Sequence, residues 1–489
     1  MIQDNSSINQ FIRNKKVLLV GLGILGGGLT TALWLLKHQA KVTITDLKSK
    51  KDLKKSLKKL EKYLPKIKLV LSHHNKTDFK NNDIIVVNPG VPIRNNPYLK
   101  VARQANKLIE NEISLFFKFN INPVIAVTGS WGKTTTTNWI GHFLRKKYND
   151  VVIGGNTPDN PTLSFLDKLR LNSPVILELS SFQLELSKLK YKAPKIAIIT
   201  NLYRDHLNHH FNMKDYVRAK THIFQNQKNT DYLILNYDNK WTKFFLSLKP
   251  QSQVYFISRN PLPKGENGIF SKKGEIYYQE NKKKELVFDS NNFLKQWGMH
   301  NLDNLMFAIL AAKLFGLNFS QIKKRITTLP QIKFRQETVC QLADKKLLVI
   351  NDSSATSPDA TIAALKRFKQ YKNSNLNLII GGTDKDLKFD ELAKEIKRDI
   401  LPENLVILNG SASKKLIKEL SKIKYSNSYF VFESLDECFY YSLYLRKQEK
   451  RNIILFSPAA ASFEKFKNEF DRGEQFNKLS LLIDSTGSS

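Results

Sequence analysis

Residues 124–144 constrain this chain more than any other stretch. Val124-Ile125-Ala126-Val127 is a short, β-branched apolar run that reads as a buried strand. Residues 134–144 read as a helix with Trp139, Ile140 and Phe143 on one face. Between them lies Thr128-Gly129-Ser130-Trp131-Gly132-Lys133-Thr134. A glycine-rich turn from strand to helix wraps backbone N–H groups around a phosphate. In such a turn Lys133 neutralises the β- and γ-phosphates, and the Thr134 hydroxyl ligates Mg²⁺. The strict GxxxxGK[ST] pattern fails at Val127, and the shorter TGxxGKT form is what remains. The bare alternative is a glycine-containing turn that binds nothing. Strand, turn and helix together favour binding of a nucleoside triphosphate by an α/β core.

The same grammar recurs on both sides. Residues 16–20 read as a strand that runs into Gly21-Leu22-Gly23-Ile24-Leu25-Gly26 and then a helix. A second strand ends at Asp46, which completes the dinucleotide fingerprint. By itself this places some phosphate-bearing ligand on a helix N-terminus and does not specify NAD. The strand at 83–87 empties into Asn88-Pro89-Gly90, so residues 1–118 form one α/β unit.

A second unit, 119–328, opens with the phosphate loop. Its strand at 175–177 ends in Glu178, a carboxylate placed to ligate Mg²⁺ or, alternatively, to cap a helix. The strand at 195–200 is followed by His206, which either ligates metal, orients a carboxylate or is structural. Lys220 sits at helical spacing among Tyr216, Val217, Ile223 and Phe224. On that apolar face it must snorkel, pair or lose its charge. Asn301 and Asn304, before an apolar helix, suit either a base edge or an N-cap. In the third unit, 329–489, four strands each empty into small polar residues: Asn351 to Thr356, Gly381 to Lys385, Asn409-Gly410 and Ser457 to Ser462. In an open parallel sheet such ends form one crevice.

The net charge of +34 comes from lysines spread over the chain, without an aromatic-interleaved basic stripe. That pattern describes a solvated surface that attracts anionic small substrates, and it argues against nucleic acid as a partner. No apolar run approaches the ~18 residues of a membrane helix, and the first residues lack the layout of a secretory signal. Cys340 and Cys438 have no metal-site spacing and fit a reducing cytoplasm.

Taken in order, TGSWGKTTT, GGNTPDNP, LELSSFQLE, NLYRDHLNHH, GMHNLDN, NDSSAT, GGTDKD and SPAAASFEKF…RG resemble the Mur ligases across nearly the whole chain. These are the ATP-dependent amide-bond ligases of peptidoglycan precursor synthesis. The nearest resemblance is to the branch that adds D-glutamate to UDP-N-acetylmuramoyl-L-alanine. It implies a monomer of three domains: Rossmann-like, P-loop ATPase-like and Rossmann-like. The first would hold the UDP substrate through Gly23, Ile24, Leu25, Leu47, Asn88 and Gly90, with Asn156, Ser180 and Gln183 from the second. ATP would meet Gly129, Ser130, Trp131, Gly132, Lys133, Thr134, Asn301, Asn304, Arg335 and Asp352. Two Mg²⁺ ions would be held by Thr134, Glu178, His206 and a carbamylated Lys220. Thr356, Lys385 and Ser462 would contact the incoming amino acid.

Five residues depart from the resemblance. Ser354 replaces a lysine, Phe334 a histidine, Glu469 an aromatic residue, and Leu47-Lys48 a hydroxyl residue and arginine. Two of these fall near the amino-acid site, so L-glutamate or another amino acid is the alternative to D-glutamate. A dehydrogenase would leave the phosphate loop unexplained, and a nucleic-acid ATPase would leave NDSSAT and SPAAAS idle.

Overall fold

The computed structural model describes residues 6–24, 26–157, 159–203, 209–343 and 346–485; Leu25 and His206 lie outside them. The chain divides into two compact units, 1–290 with 303–329, and 291–302 with 330–489.

The first unit holds two sheets. One has five parallel strands in the order Lys68–Leu71, Lys41–Asp46, Lys16–Val20, Ile84–Val87, Leu108–Glu110. Covered on both faces, such strands read as unbroken apolar runs, which is why 84–87 is IIVV. The other has nine strands in the order Lys283–Asp289, Glu275–Glu280, Gly268–Lys272, Gln253–Ser258, Tyr232–Asn236, Ile196–Ile199, Val124–Thr128, Val175–Glu178, Val152–Gly155. Val124–Thr128 lies between Ile196–Ile199 and Val175–Glu178, parallel to both. That register sets the phosphate loop beside the carboxyl ends of both neighbours. Gly268–Lys272, Glu275–Glu280 and Lys283–Asp289 form an antiparallel meander that extends the same sheet.

Within this unit the two sheets are joined by polar contacts. The Asp167 carboxylate accepts from Trp34 Nε1 at 2.9 Å and Lys37 Nζ at 2.5 Å, and lies 3.0 Å from His38 Nε2. Glu112 receives the Thr162 N–H and hydroxyl at the start of the helix Thr162–Phe165.

The second unit holds a six-stranded sheet ordered Glu337–Leu342, Leu347–Asn351, Arg451–Phe456, Ser374–Gly381, Leu405–Leu408, Phe430–Phe432. All pairings are parallel except that of the Glu337–Leu342 edge. Its two faces carry separate apolar clusters, one around Phe368, Leu392 and Ile407, the other around Phe439, Phe456 and Phe476. The four expected strands and their polar ends stand where the sequence puts them.

Candidate active site

The phosphate loop needs its glycines. Gly129 has φ +146, and a Cβ there would come 1.9 Å from Thr200 Oγ1; Gly132 has φ +82, and its Cβ would come 2.2 Å from Asn304 Oδ1. Gly132 is also the N-cap of the helix Lys133–Leu144, so no side chain occupies that helix end. Its first N–H groups face the loop, as an anion cradle requires. The loop is braced from the neighbouring strand. Trp131 N–H donates to Asn201 Oδ1 at 2.9 Å, Thr200 Oγ1 donates to Trp131 O at 2.7 Å, and Ser130 N–H donates to Asn201 O at 2.9 Å. The Trp131 ring stacks on Tyr203 at 4.3 Å. Lys133 Nζ lies over the loop, donating to Gly129 O and Ser130 O at 3.2 and 3.0 Å.

Glu178 is not a helix cap. It is buried, accepting from Thr134 Oγ1 at 2.7 Å and from Asn156 Nδ2 at 3.3 Å. The helix Ser181–Ser187 is capped by Ser180, whose hydroxyl accepts the Gln183 N–H while Gln183 Oε1 accepts the Ser180 N–H. A hydroxyl and a carboxylate side by side at the phosphate loop are hard oxygen donors of the kind Mg²⁺ takes.

Lys220 does not snorkel. It is 1% exposed on the helix Met213–Thr221, and its Nζ donates to Thr128 Oγ1 at 3.2 Å and Gly129 O at 3.0 Å. The Tyr216 ring lies 4.7 Å away. Thr128 Oγ1 in turn donates to Leu179 O at 2.7 Å, which links the lysine to the residue beside Glu178.

In the first sheet, Gly23 has φ +61, and its N–H donates to Asp46 Oδ2 at 3.0 Å. The fingerprint acid therefore braces the glycine loop, and its other oxygen receives the Lys48 N–H at 2.9 Å. Ile24 and Leu47 are exposed at the rim. Asn88 Oδ1 accepts the Gly90 N–H at 3.1 Å, closing the turn opposite. Asn304 is buried against Gly132 and Thr136.

In the second unit, Asn301 Nδ2 donates to Trp297 O at 2.9 Å. Asp352 accepts from Gln336 N–H at 3.0 Å and Ser457 Oγ at 2.8 Å. Burial pushes its carboxyl up to about 7, against the pull of these bonds and of the Arg335 and Arg367 charges. A carboxyl raised above its unfolded value contributes its full stability at low pH and loses it as pH rises toward 7. The stability of Asp352→Asn relative to wild type should therefore improve by about 2–3 kcal/mol from pH 5 to pH 8. Urea unfolding at the two pH values checks this.

Thr383 and Ala461 exchange backbone bonds at 2.9 and 3.0 Å, bringing two of the polar loops together. Ser462 Oγ is buried there with no hydrogen-bond partner among the described residues, which suits a ligand acceptor. Thr356 is half-buried and Lys385 exposed on neighbouring loops. Phe334 packs its ring on Gly473, where a Cβ would come 2.4 Å from Phe334 Cδ1, so an apolar ring fits at this position.

The sequence reading assigned no role to Arg472. Its side chain is fully buried, with Nε on Ser353 Oγ at 3.1 Å, Nη2 on Ser353 O and Ala460 O at 2.8 and 3.0 Å, and Nη1 on Ala461 O at 3.1 Å. Burial pulls the guanidinium down to about 10, still charged near neutrality. It ties the NDSSAT loop to the SPAAAS loop. The Arg-Gly pair in the last block was the available signal.

Comparison with known proteins agrees with this geometry. Three family profiles match in succession: the MurD-like N-terminal domain at 15–110, the Mur ligase middle domain at 127–312 and the Mur ligase glutamate ligase domain at 335–460. A UDP-N-acetylmuramoylalanine–D-glutamate ligase of Borreliella afzelii is 39% identical over 96% of this chain and 98% of its own length. One of the same name from Roseiflexus is 36% identical over 96% and 98%. The crystal structure of UDP-N-acetylmuramate–alanine ligase from Thermotoga maritima shares the fold, with TM-score 0.58, 19% identity and coverage of 95% and 99%. On the phosphate loop, its flanking carboxylate and lysine, and these matches along nearly its whole length, the chain belongs to the Mur ligase family.

Proposed function

We propose that this enzyme joins D-glutamate to UDP-N-acetylmuramoyl-L-alanine at the expense of ATP, in peptidoglycan precursor synthesis. The observation that carries the reading is the near full-length identity to ligases of that name, in a chain whose Lys133, Thr134, Glu178 and Lys220 cluster at one phosphate loop. A carboxylate is a poor electrophile for an amine. Transfer of the γ-phosphoryl to the L-alanine carboxylate gives an acyl phosphate and ADP. The D-glutamate amine then attacks the carbonyl, the tetrahedral intermediate expels phosphate, and the amine proton is lost.

In this reading Lys133 and the loop N–H groups of Gly129 to Thr134 hold the phosphates, and Asn301, Asn304, Arg335 and Asp352 meet the rest of ATP. Gly23, Ile24, Leu25, Leu47, Asn88, Gly90, Asn156, Ser180 and Gln183 receive the UDP substrate. Thr356, Lys385 and Ser462 receive D-glutamate. Thr134, Glu178, His206 and a carbamylated Lys220 would hold two Mg²⁺ ions, which neutralise charge on the phosphate oxygens. Carbamylation adds CO₂ to the neutral ε-amine with loss of a proton. It turns a buried cation into an anionic ligand. We place the domain boundaries near 118 and 328, and the protein in the cytoplasm as a monomer. The two buried free cysteines are compatible with a reducing compartment.

The test is phosphate release with UDP-N-acetylmuramoyl-L-alanine, ATP and a panel of D- and L-amino acids. D-glutamate alone should drive release; exclusive use of L-glutamate or a neutral amino acid would overturn the substrate assignment and leave the ligase reaction standing. Ser354 bears on the affinity. A lysine there would offer D-glutamate a charge-assisted contact worth ~1.5–3 kcal/mol. Ser354→Lys is accordingly expected to lower the D-glutamate KM by roughly ten- to a hundredfold. An unchanged KM would show that another cation already serves that carboxylate.

A further inference from the structure

The Asn88-Pro89-Gly90 turn begins a longer strap, residues 88–96, that ends at the helix Pro97–Gln104. Both ends are fixed locally. Gly90 N–H and Val91 N–H donate back to Asn88 Oδ1 and O at 3.1 and 2.9 Å. At the far end Asn96 Nδ2 donates to Pro92 O at 2.9 Å, and Asn96 Oδ1 accepts from Tyr98 and Leu99 N–H.

Between them Arg94 reaches across to the central sheet's helices. Its Nε donates to Glu185 Oε1 at 3.1 Å and its Nη1 to Asp215 Oδ2 at 2.9 Å. The hydrogen bond between them holds the Arg94 pKa above and the Asp215 pKa below their usual values. The guanidinium lies 5.7 Å from the centre of the Phe211 ring, and His209 Nε2 lies 2.9 Å from the second oxygen of Glu185. Glu185 belongs to the helix Ser181–Ser187, which carries Gln183; Asp215 belongs to the helix Met213–Thr221, which carries Lys220.

We propose that Arg94 is a positioning residue. It sets the spacing between the turn that receives the UDP moiety and the two helices beside the phosphate loop, and so the span a bound substrate must cover. This rests on the function proposed above, in which the turn and Gln183 both receive the UDP substrate while Lys220 serves the metal at the phosphates. Loosening the fit at the UDP end removes binding that the ground state and the transition state share, which raises KM and leaves kcat in place.

The experiment combines kinetics with amide hydrogen exchange on the full chain. Arg94→Ala should raise the KM for UDP-N-acetylmuramoyl-L-alanine about tenfold, with the ATP KM and kcat within about twofold of wild type. Arg94→Lys, which reaches one carboxylate, should fall between. Asp215→Asn should raise the same KM, and the double variant should be no worse than Arg94→Ala, because both act through one bond. The Gly90 and Val91 amides should exchange about tenfold faster in each single variant. Unchanged KM and exchange in Arg94→Ala, or an equal loss in every kinetic parameter, would overturn the proposal. So would an Asp215→Asn variant with normal or lower KM, which would make Arg94 a direct substrate contact. If the wild type does not ligate these substrates, the proposed function fails, and exchange at Gly90 and Val91 alone decides whether Arg94 fixes the strap.

Discussion

Lys220→Ala is expected to lower turnover by about 10³-fold or more and to be partly rescued by a short carboxylate such as acetate. The argument begins with burial. At 1% exposure the ε-nitrogen is surrounded by Thr128 Oγ1, Gly129 O and the Tyr216 ring. An ammonium held there faces a large desolvation cost. A carbamate formed on the same nitrogen would face a metal and be neutralised by it. In the proposed reading, alanine would remove that ligand and leave a space near the loop for acetate. Steady-state rates with and without acetate check this. An active Lys220→Ala, or a Lys220→Arg variant equal to wild type, contradicts it, since arginine supplies charge and cannot take up CO₂.

Lys133→Ala is expected to cost about 10³-fold in kcat/KM as well, with no rescue by carboxylates. The Lys133 ammonium already lies across the loop, 3.0 Å from Ser130 O, at the mouth of an uncapped helix end. In the proposed reaction, transfer of the γ-phosphoryl would spread negative charge over oxygens held by this ammonium and the loop N–H groups. The helix itself should be unharmed, because alanine has the highest helix propensity. Retained thermal stability with lost turnover is the expected pair of results. Near-normal ligation would remove the loop from the chemistry.

The order of strands and the loops at their carboxyl ends were legible because buried parallel strands must be continuous apolar runs. Residues such as Gly132, Lys133 and Glu178 stand just beyond those runs, where side chains meet in a crevice. The tertiary bracing was not legible. Arg94 and Glu185 are 91 residues apart, and Arg472 and Ser353 are 119 apart. In a chain with 78 lysines and arginines, nothing local marks Arg94 as bridging, and only the adjoining Gly473 marks Arg472. Thr200 and Asn201 read as a strand end, yet they hold the phosphate loop by its Trp131 carbonyl and N–H. The strands at 268–289 extend the central sheet to nine, which their pairing alone decides. Asp46 met the dinucleotide pattern, and the fold uses it to brace Gly23 and Lys48.

The central claim is that the L-alanine carboxylate is activated as an acyl phosphate. Its most direct measurement uses UDP-N-acetylmuramoyl-L-alanine carrying ¹⁸O in both carboxylate oxygens, turned over with ATP and D-glutamate. Mass spectrometry of the released phosphate should find one labelled oxygen per turnover, and the new amide carbonyl should retain the other. Phosphate released without label, or released at the same rate when D-glutamate is omitted, would contradict the account.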